Sequence, residues 1–425
     1  MKIKKTLITL FLIMSCVSFV FASGTKESEK ESRPIEVSFW SLFTGGDGDY
    51  FNAIIDEFNN THTDIQMKTD TVKFDNYYTK LTAALAAGNA PDLIVVHQAN
   101  LRNYVPSNQL LALDDYLEDI NAPMDDFVDA PLQACQYDGK TYALPLDVHP
   151  IIMYVNKGLL KEAGIDKIPT NYDELIKAAQ AVEMKTGKMG IACDNTTAVY
   201  KAYTLTRLFF SMMYQQGGTM LSDDHSKATF NNEKGVVALK ALQDMVNKYE
   251  VTPKGLDYDT SVNSFKLAEA AFHFNGVWAT GTMEKAEDLD FVAVPLPGLV
   301  GKPAAWGGSH TLAIPANKAQ DSEHVEAILE CMLWITSHGE MWAKAGHIPV
   351  RKSVQNSEAF TKLPYRKDYS DAAASFVAPP DAASWGEIYS TMSDLLEYAV
   401  ANNSEPIKAL AQMEAKVNDI ISTYN

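Results

Sequence analysis

KTYALPLDVHPIIMYVNKGLL, residues 140–160, opens with the alternation of a strand, is interrupted by Pro145 and Pro150, resumes as an apolar run rich in β-formers, and reaches a glycine ahead of a helix signal. Two prolines fix φ twice and withhold two N–H groups from any ladder. The chain is therefore expected to pass between two sheets here and not to sit in the centre of one. Asp147 and His149 alternate with Leu146 and Val148, which sets the two polar groups on one side of the strand. On a strand that crosses between two lobes, such a pair would face a cleft.

The remainder of the chain is consistent with two lobes. With 425 residues and 46% hydrophobic content, it is too long for one ordinary core, and two domains are expected. The formal charge is −18, and it becomes −21 without Lys2, Lys4 and Lys5. A surface so acidic, with no basic cluster after Lys5, argues against nucleic acid or an anionic membrane as partner.

Residues 1–22 have a basic start, an apolar run from Leu7 and the small-residue pattern Val20-Phe21-Ala22, which is the grammar of a secretory signal peptide cleaved after Ala22. A rival box, Ile13-Met14-Ser15-Cys16, would instead leave Cys16 lipidated. Either route exports the protein to a periplasmic or extracellular location. Residues 23–33, SGTKESEKESR, read as a flexible tether. Beyond them only Cys135, Cys193 and Cys331 remain, far apart and odd in number, so neither a disulfide framework nor a cysteine metal cluster is expected.

Order starts at Pro34. A strand from Ile35 to Trp40, a helix carrying Phe51, Ile54, Ile55 and Phe58, a strand at 65–72, a helix at 77–87 and a strand at 92–96 follow one another. This alternation is the grammar of a parallel sheet with right-handed crossovers. In such sheets ligands sit beyond the carboxyl ends of the strands, which nominates 40–47 and 97–100. Asp47, in the turn TGGDGD, doubles as a candidate N-cap. Further helices are predicted at 172–185, 202–214 and around Leu242 to Tyr249. Others are expected at 264–274, along the Ile328, Cys331, Met332, Ile335 stripe, at 388–401 and at 406–424. Short strands are expected at 291–297 and 311–315.

Four segments, in order, resemble the extracellular solute-binding proteins of ABC importers, in the sugar-binding group that includes maltose-binding protein. They are VSFWSLFTGGDGDYFNAIIDE (37–57), GNAPDLIVVHQAN (88–100), DGKTYALPLDVHPIIMYVN (138–156) and AEAAFHFNGVWATG (268–281). The resemblance implies an α/β fold, the type II periplasmic binding protein fold, with two discontinuous lobes joined by hinge strands. Lobe one would be residues 34–146 and 309–350, and lobe two residues 149–307 and 352–425. It implies a monomer that is no enzyme, has no cofactor and hands its ligand to ABC permease membrane subunits. The ligand contacts carried over are Trp40, Ser41, Thr44 and Asp47; His97, Gln98 and Asn100; Asp147 and His149; an aromatic near Tyr200 or Tyr203; Trp278; and Trp385. Two departures from maltose-binding protein bear on the ligand. His149 replaces an acidic residue, and Val96, Ala99 and Asn100 stand where that protein has Trp, Asp and Arg.

A sugar offers hydroxyls at its edge and C–H faces above and below, so its pocket needs flat aromatics and a few fixed polar groups. Asp, Asn, Gln and His serve hydroxyls without a strong net charge, which favours a neutral sugar or oligosaccharide. Trp40, Trp278, Trp306 and Trp385 fit the first need and fit equally as core plugs. Tyr200 and Tyr203 lie in an aromatic-rich segment where packing serves as well as contact. Asp147 and His149 could instead satisfy hinge hydrogen bonds, and His310, beside the second crossing, is a further candidate. The turn at 44–49 carries carboxylates and no Gly-Lys-Ser/Thr ending, so it is no phosphate cradle, and it lacks EF-hand spacing. HExxH, GxSxG and CxxC are all absent, and no metal ligands are nominated. The 54 acidic residues leave open an exported hydrolase or lyase built on paired carboxylates, and a sensor partner would use the same site as an importer.

Overall fold

The computed structural model describes residues 33–196, 201–318 and 321–424. The expectations for the signal peptide, Cys16 and all but the last residue of the tether fall outside these residues, as does Tyr200.

Two sheets carry the architecture. The first has the spatial order Ile65–Thr71, Ile35–Ser41, Leu93–His97, His310–Ala313, Leu144–Pro145. Its first three strands are parallel, and His310–Ala313, arriving from late in the chain, inserts antiparallel against Leu93–His97. The helix Gly48–Thr61 buries Phe51, Ile54, Ile55 and Phe58 against this sheet's core. That core gathers residues between Val37 and Leu146 and returns at Leu312 to Val350.

The second sheet is built on the strand Asp147–Asn156. Ile151, Met153 and Val155 enter one core, while Ile152 and Tyr154 enter a smaller one on the opposite face. Burial on both faces explains why this run is continuously apolar. The larger core also takes residues between Leu159 and Trp306 and between Ala382 and Ile421.

The chain crosses between the sheets twice, and the two crossings lie side by side. Leu144–Pro145 belongs to the first sheet and Asp147–Asn156 to the second, while Ala305–Gly308 and His310–Ala313 make the reverse passage. Pro145 opposes Thr311, His149 opposes Gly308, and the Leu146 N–H donates to the His310 carbonyl at 2.8 Å. Pro145 sits on an edge strand, as its missing donor requires.

Three expectations need correction. Asp147–Asn156 lies inside its sheet despite Pro150, because the ladders to Ala270–Gly276 and Phe291–Pro295 begin only at Ile151 and Ile152. At Pro150 the strand meets only Gly307, so its missing N–H interrupts no double-sided pairing. Residues 264–274 do not form one helix. A helix spans Tyr258–Lys266, Ala268 takes φ +57°, and Ala270–Gly276 is a strand buried at every position. The helix-favouring alanines yield there to two-sided burial. Finally, the Asp47 side chain makes no capping hydrogen bond on the helix it precedes, and its carboxylate turns toward His347.

Candidate functional site

Two adjoining cavities, of about 420 Å³ and about 210 Å³, open between the sheets and share Phe74, His97, Lys201, Tyr203 and Arg207 as walls. The first half of the chain supplies Tyr78, Gln98 and Asn100 to the larger one, and the later segments supply Trp306, Trp385 and Tyr389. The smaller is walled by Thr44, Asp47, His149, Tyr258, Trp278, His310 and His347 among others. Gln98 and Asn100 belong to the turn that follows Leu93–His97, at the carboxyl end of that strand, as the parallel topology requires.

At the floor, Asp147 organises an imidazole cluster. Its Oδ1 accepts from His149 Nδ1 at 2.8 Å and from the His310 backbone N–H at 3.0 Å. Its Oδ2 accepts from His310 Nδ1 at 2.8 Å and from the Trp342 indole at 2.7 Å. His347 Nδ1 lies 3.0 Å from the same Oδ2 and His347 Nε2 lies 3.6 Å from Asp47 Oδ2, yet neither nitrogen has a directed hydrogen bond. His347 stacks on Trp342 with centroids 4.1 Å apart and planes 8° apart.

Electrostatics assign the charges in this cluster. Burial alone would raise the Asp147 carboxyl, but His310, His347 and His149 hold it well below the usual carboxylate range. Burial would lower His347, but Asp147 and Asp47 push it up to about 9. Burial, with His310 adding to it, takes His149 down to about 3, and His97 also falls well below its ordinary value through burial and the neighbouring imidazoles. The floor thus sets a buried carboxylate beside one imidazolium, His347, and a neutral His149.

The donor atoms of Asp147, His149, His310 and His347 all lie within 4.8 Å of one another, a set that a transition ion could span. The carboxylate already accepts four hydrogen bonds, so the cluster is complete as a hydrogen-bonded pin joining the two crossings.

Above the floor, aromatic rings and one guanidinium form the walls. Arg207, on the helix Tyr203–Gln215, places its guanidinium carbon 4.9 Å from the Trp278 ring centre and 4.7 Å from that of Trp306. Tyr203 and Tyr389 stack in parallel at 5.0 Å, and Trp385 stacks obliquely on Tyr389 at 6.2 Å. The Trp278 indole donates to the Tyr258 hydroxyl at 3.0 Å, and the hydroxyl of Tyr78 meets His97 Nδ1 at 2.5 Å. Flat rings with polar edges can cover the faces of a ring-shaped ligand while donors meet its periphery.

The sequence candidates divide accordingly. Thr44, Asp47, His97, Gln98, Asn100, His149, Tyr203, Trp278, Trp306, His310 and Trp385 line the cavities. Asp147 is fully buried beneath them and lines neither. Trp40 and Ser41 also line neither. Trp40 lies under the Lys80 ammonium, 3.8 Å from its ring centre, and the Ser41 hydroxyl meets that of Thr71 at 3.2 Å. Sequence reasoning missed Arg207, His347, Tyr389, Tyr78 and Phe74. Arg207 and Tyr389 stand in aromatic-rich helical stretches, which is the one signal that could have raised them.

A family profile described as "Bacterial extracellular solute-binding protein" matches residues 53–368. An arabinooligosaccharide-binding protein of Bacillus subtilis is 27% identical over 392 residues, covering 87% of this chain and 85% of its own. A maltotriose-binding protein of Pyrococcus abyssi is 24% identical over 332 residues, covering 75% and 68%. Among solved structures, an ABC transporter solute-binding protein of Thermotoga lettingae bound with α-D-tagatose has a TM-score of 0.79 at 23% identity, covering 91% of this chain and 100% of its own. A maltose-bound MalE3 of T. maritima has a TM-score of 0.81 at 20% identity, covering 91% and 100%. Both structural likenesses carry the two-lobed α/β fold.

Proposed function

The chain belongs to the bacterial extracellular solute-binding protein family, and from that premise we propose that it captures a sugar or oligosaccharide between its lobes and delivers it to the membrane subunits of an ABC importer. The observation that carries this reading is the pair of adjoining cavities walled from both sheets, with tryptophan and tyrosine faces on one side and the 97–100 turn on the other. A ligand touching both walls gains contacts only when the lobes approach, and so draws the hinge equilibrium toward closure.

The lobes are taken as residues 34–146 with 309–350, and 149–307 with 352–425. Asp147 and its imidazoles lie at the junction and serve as the pin about which they move. Thr44, Asp47, His97, Gln98, Asn100, Tyr203, Trp278, Trp306 and Trp385 are the proposed contacts, with His149 and His310 reaching the ligand from the floor. The relatives named for arabino-oligosaccharides and maltotriose support a saccharide. The protein works outside the cytoplasm as a monomer and leaves its ligand chemically unchanged. No helix among the described residues is long and apolar enough to cross a membrane.

The test is a thermal-shift screen over mono- to tetrasaccharides, followed by chromatography of the recovered sugar. A dose-dependent rise in Tm with the sugar intact supports capture. Cleaved product would replace the reading with a hydrolase or lyase, and co-purification with a sensor instead of a permease would change only the partner.

A further inference from the structure

The lining of the larger cavity runs against the acidity of the chain as a whole. The chain carries 54 acidic residues and a net charge of −18, yet no Asp or Glu stands among the residues that line this cavity, whereas Lys201 and Arg207 both do. Lys201 is already matched, its ammonium lying 2.5 Å from Asp394. Arg207 has no carboxylate within ion-pair distance among the described residues; the buried Asp194 carboxyl feels its charge from farther off, and the groups packed against the guanidinium are the rings of Tyr203, Trp278 and Trp306. The carboxylates Asp47 and Asp259 line only the smaller cavity.

The unmatched polar atoms point the same way. Among the described residues, ten buried side-chain polar atoms have no hydrogen-bond partner, and five of them belong to cavity walls. Three of these, Arg207 Nε, Trp306 Nε1 and the Tyr389 hydroxyl, line the larger cavity, and each carries a hydrogen to donate. Buried donors without acceptors are rare and costly, and an uncompensated guanidinium more so. What complements three donors and a guanidinium without an ion-pair contact is a group that only accepts and carries one negative charge. A hydroxyl accepts but brings its own donor, and a phosphate monoester brings close to two charges against one free cation. A carboxylate meets both conditions; a phosphodiester does too, but the carboxylate is the monoanion that a sugar ring carries as its own substituent, and a planar guanidinium holds it in a two-pronged fit.

Resting on the capture reading above, we propose that the saccharide taken up is acidic: a uronic acid, or an oligosaccharide bearing one, whose carboxylate seats on Arg207 with the Trp306 indole and Tyr389 hydroxyl as further donors. The sugar ring then lies against the Tyr203, Tyr389 and Trp385 faces, and the neutral residues of a longer ligand extend toward Trp278. This revises the expectation of a neutral solute, which rested on polar candidates that did not include Arg207.

The test is calorimetry and thermal shift on the full chain with matched pairs: hexuronates, uronic disaccharides and glucuronate-substituted xylo-oligosaccharides, each beside its neutral methyl ester, plus hexose phosphates. The expected result is a uronate bound about 10- to 100-fold more tightly than its ester, the range that charge-assisted hydrogen bonds supply. Arg207→Gln should remove that difference, and Tyr389→Phe, which keeps the stacked ring, should shrink it at an unchanged apo Tm. Equal or tighter binding of the neutral partner overturns the acidic-sugar assignment while leaving capture intact. Tightest binding of the phosphates also overturns it. A shift with no member of either kind overturns the capture reading and this one together. Should Arg207→Gln fail to fold, the ester comparison and Tyr389→Phe decide alone.

Discussion

His347 Nδ1 stands 3.0 Å from Asp147 Oδ2, and both side chains are fully buried. One residue belongs to the first crossing strand and the other to the segment that precedes the short strand Ile348–Pro349, which pairs with that crossing at Val148 and Asp147. An imidazolium and a carboxylate removed from water depend on each other, because either alone would be an unpaired buried charge. Asp147→Asn should therefore cost about 3 to 5 kcal/mol in urea unfolding, the range for breaking a buried pair. Combining it with His347→Gln should cost clearly less than the two singles added. Additive losses would show that the two residues do not act as a pair.

The same contact gives stability a defined pH dependence. His347 is raised to about 9, so its contribution is complete below about 6.5, the ordinary histidine value, and is lost as pH rises through 9. The groups facing it are Asp147 and Asp47, with the His149 and His310 rings at 5.9 Å and 5.6 Å. His149 works in the opposite sense. Lowered to about 3, it stays neutral in the fold and weakens the fold as pH drops below 6.5. The wild type should therefore exceed His347→Gln in unfolding free energy by most at pH 6 and by almost nothing at pH 10. A difference independent of pH over that interval would mean that His347 is neutral in the fold.

The fold was legible because its signals are local. Strand and helix periods, two prolines on the first crossing and four ordered segments are all written in contiguous residues. The site was most directly legible where a wall follows a strand end, as at His97, Gln98 and Asn100, whereas the tryptophans were nominated with nothing local to tell cavity wall from core. Arg207 matters because Trp278 and Trp306, from two other segments, close on it, and no stretch of sequence near it says so. His347 sits in AGHIPV, a segment with no pattern pointing to Asp147. Trp40 was misplaced for an instructive reason. The alternation that revealed its strand buries Val37, Phe39 and Ser41, which puts Trp40 on the other face with Ser38 and Glu36.

That face assignment separates two tryptophans that the sequence treats alike. Trp278 lines the smaller cavity and stacks against Arg207, whereas Trp40 is covered by Lys80 outside both cavities. Trp278→Ala should weaken saccharide binding by about tenfold, the scale of one aromatic stacking contact, with a modest apo loss from its contacts to both cores of the second sheet. Trp40→Phe should leave the affinity unchanged. Calorimetry with any saccharide that raises the Tm reads both, and equal losses would put Trp40 back in the site.

Gly308 tests whether the two crossings work as one unit. A Cβ added there would stand 2.3 Å from His149 Nε2 and 3.0 Å from the Trp306 ring. The His149 ring cannot swing clear without breaking its 2.8 Å bond to Asp147, so the crossings must part or the cluster must open. Gly308→Ala should therefore cost about 1 to 3 kcal/mol of stability, the range for overpacking a well-filled site, and should also blunt the Tm rise produced by ligand. Pairing it with His149→Ala removes the ring the new methyl strikes. The double variant should then lie closer in stability to His149→Ala alone than Gly308→Ala lies to the wild type. If the methyl costs as much without the imidazole as with it, the contact between Gly308 and His149 is not what holds the crossings together.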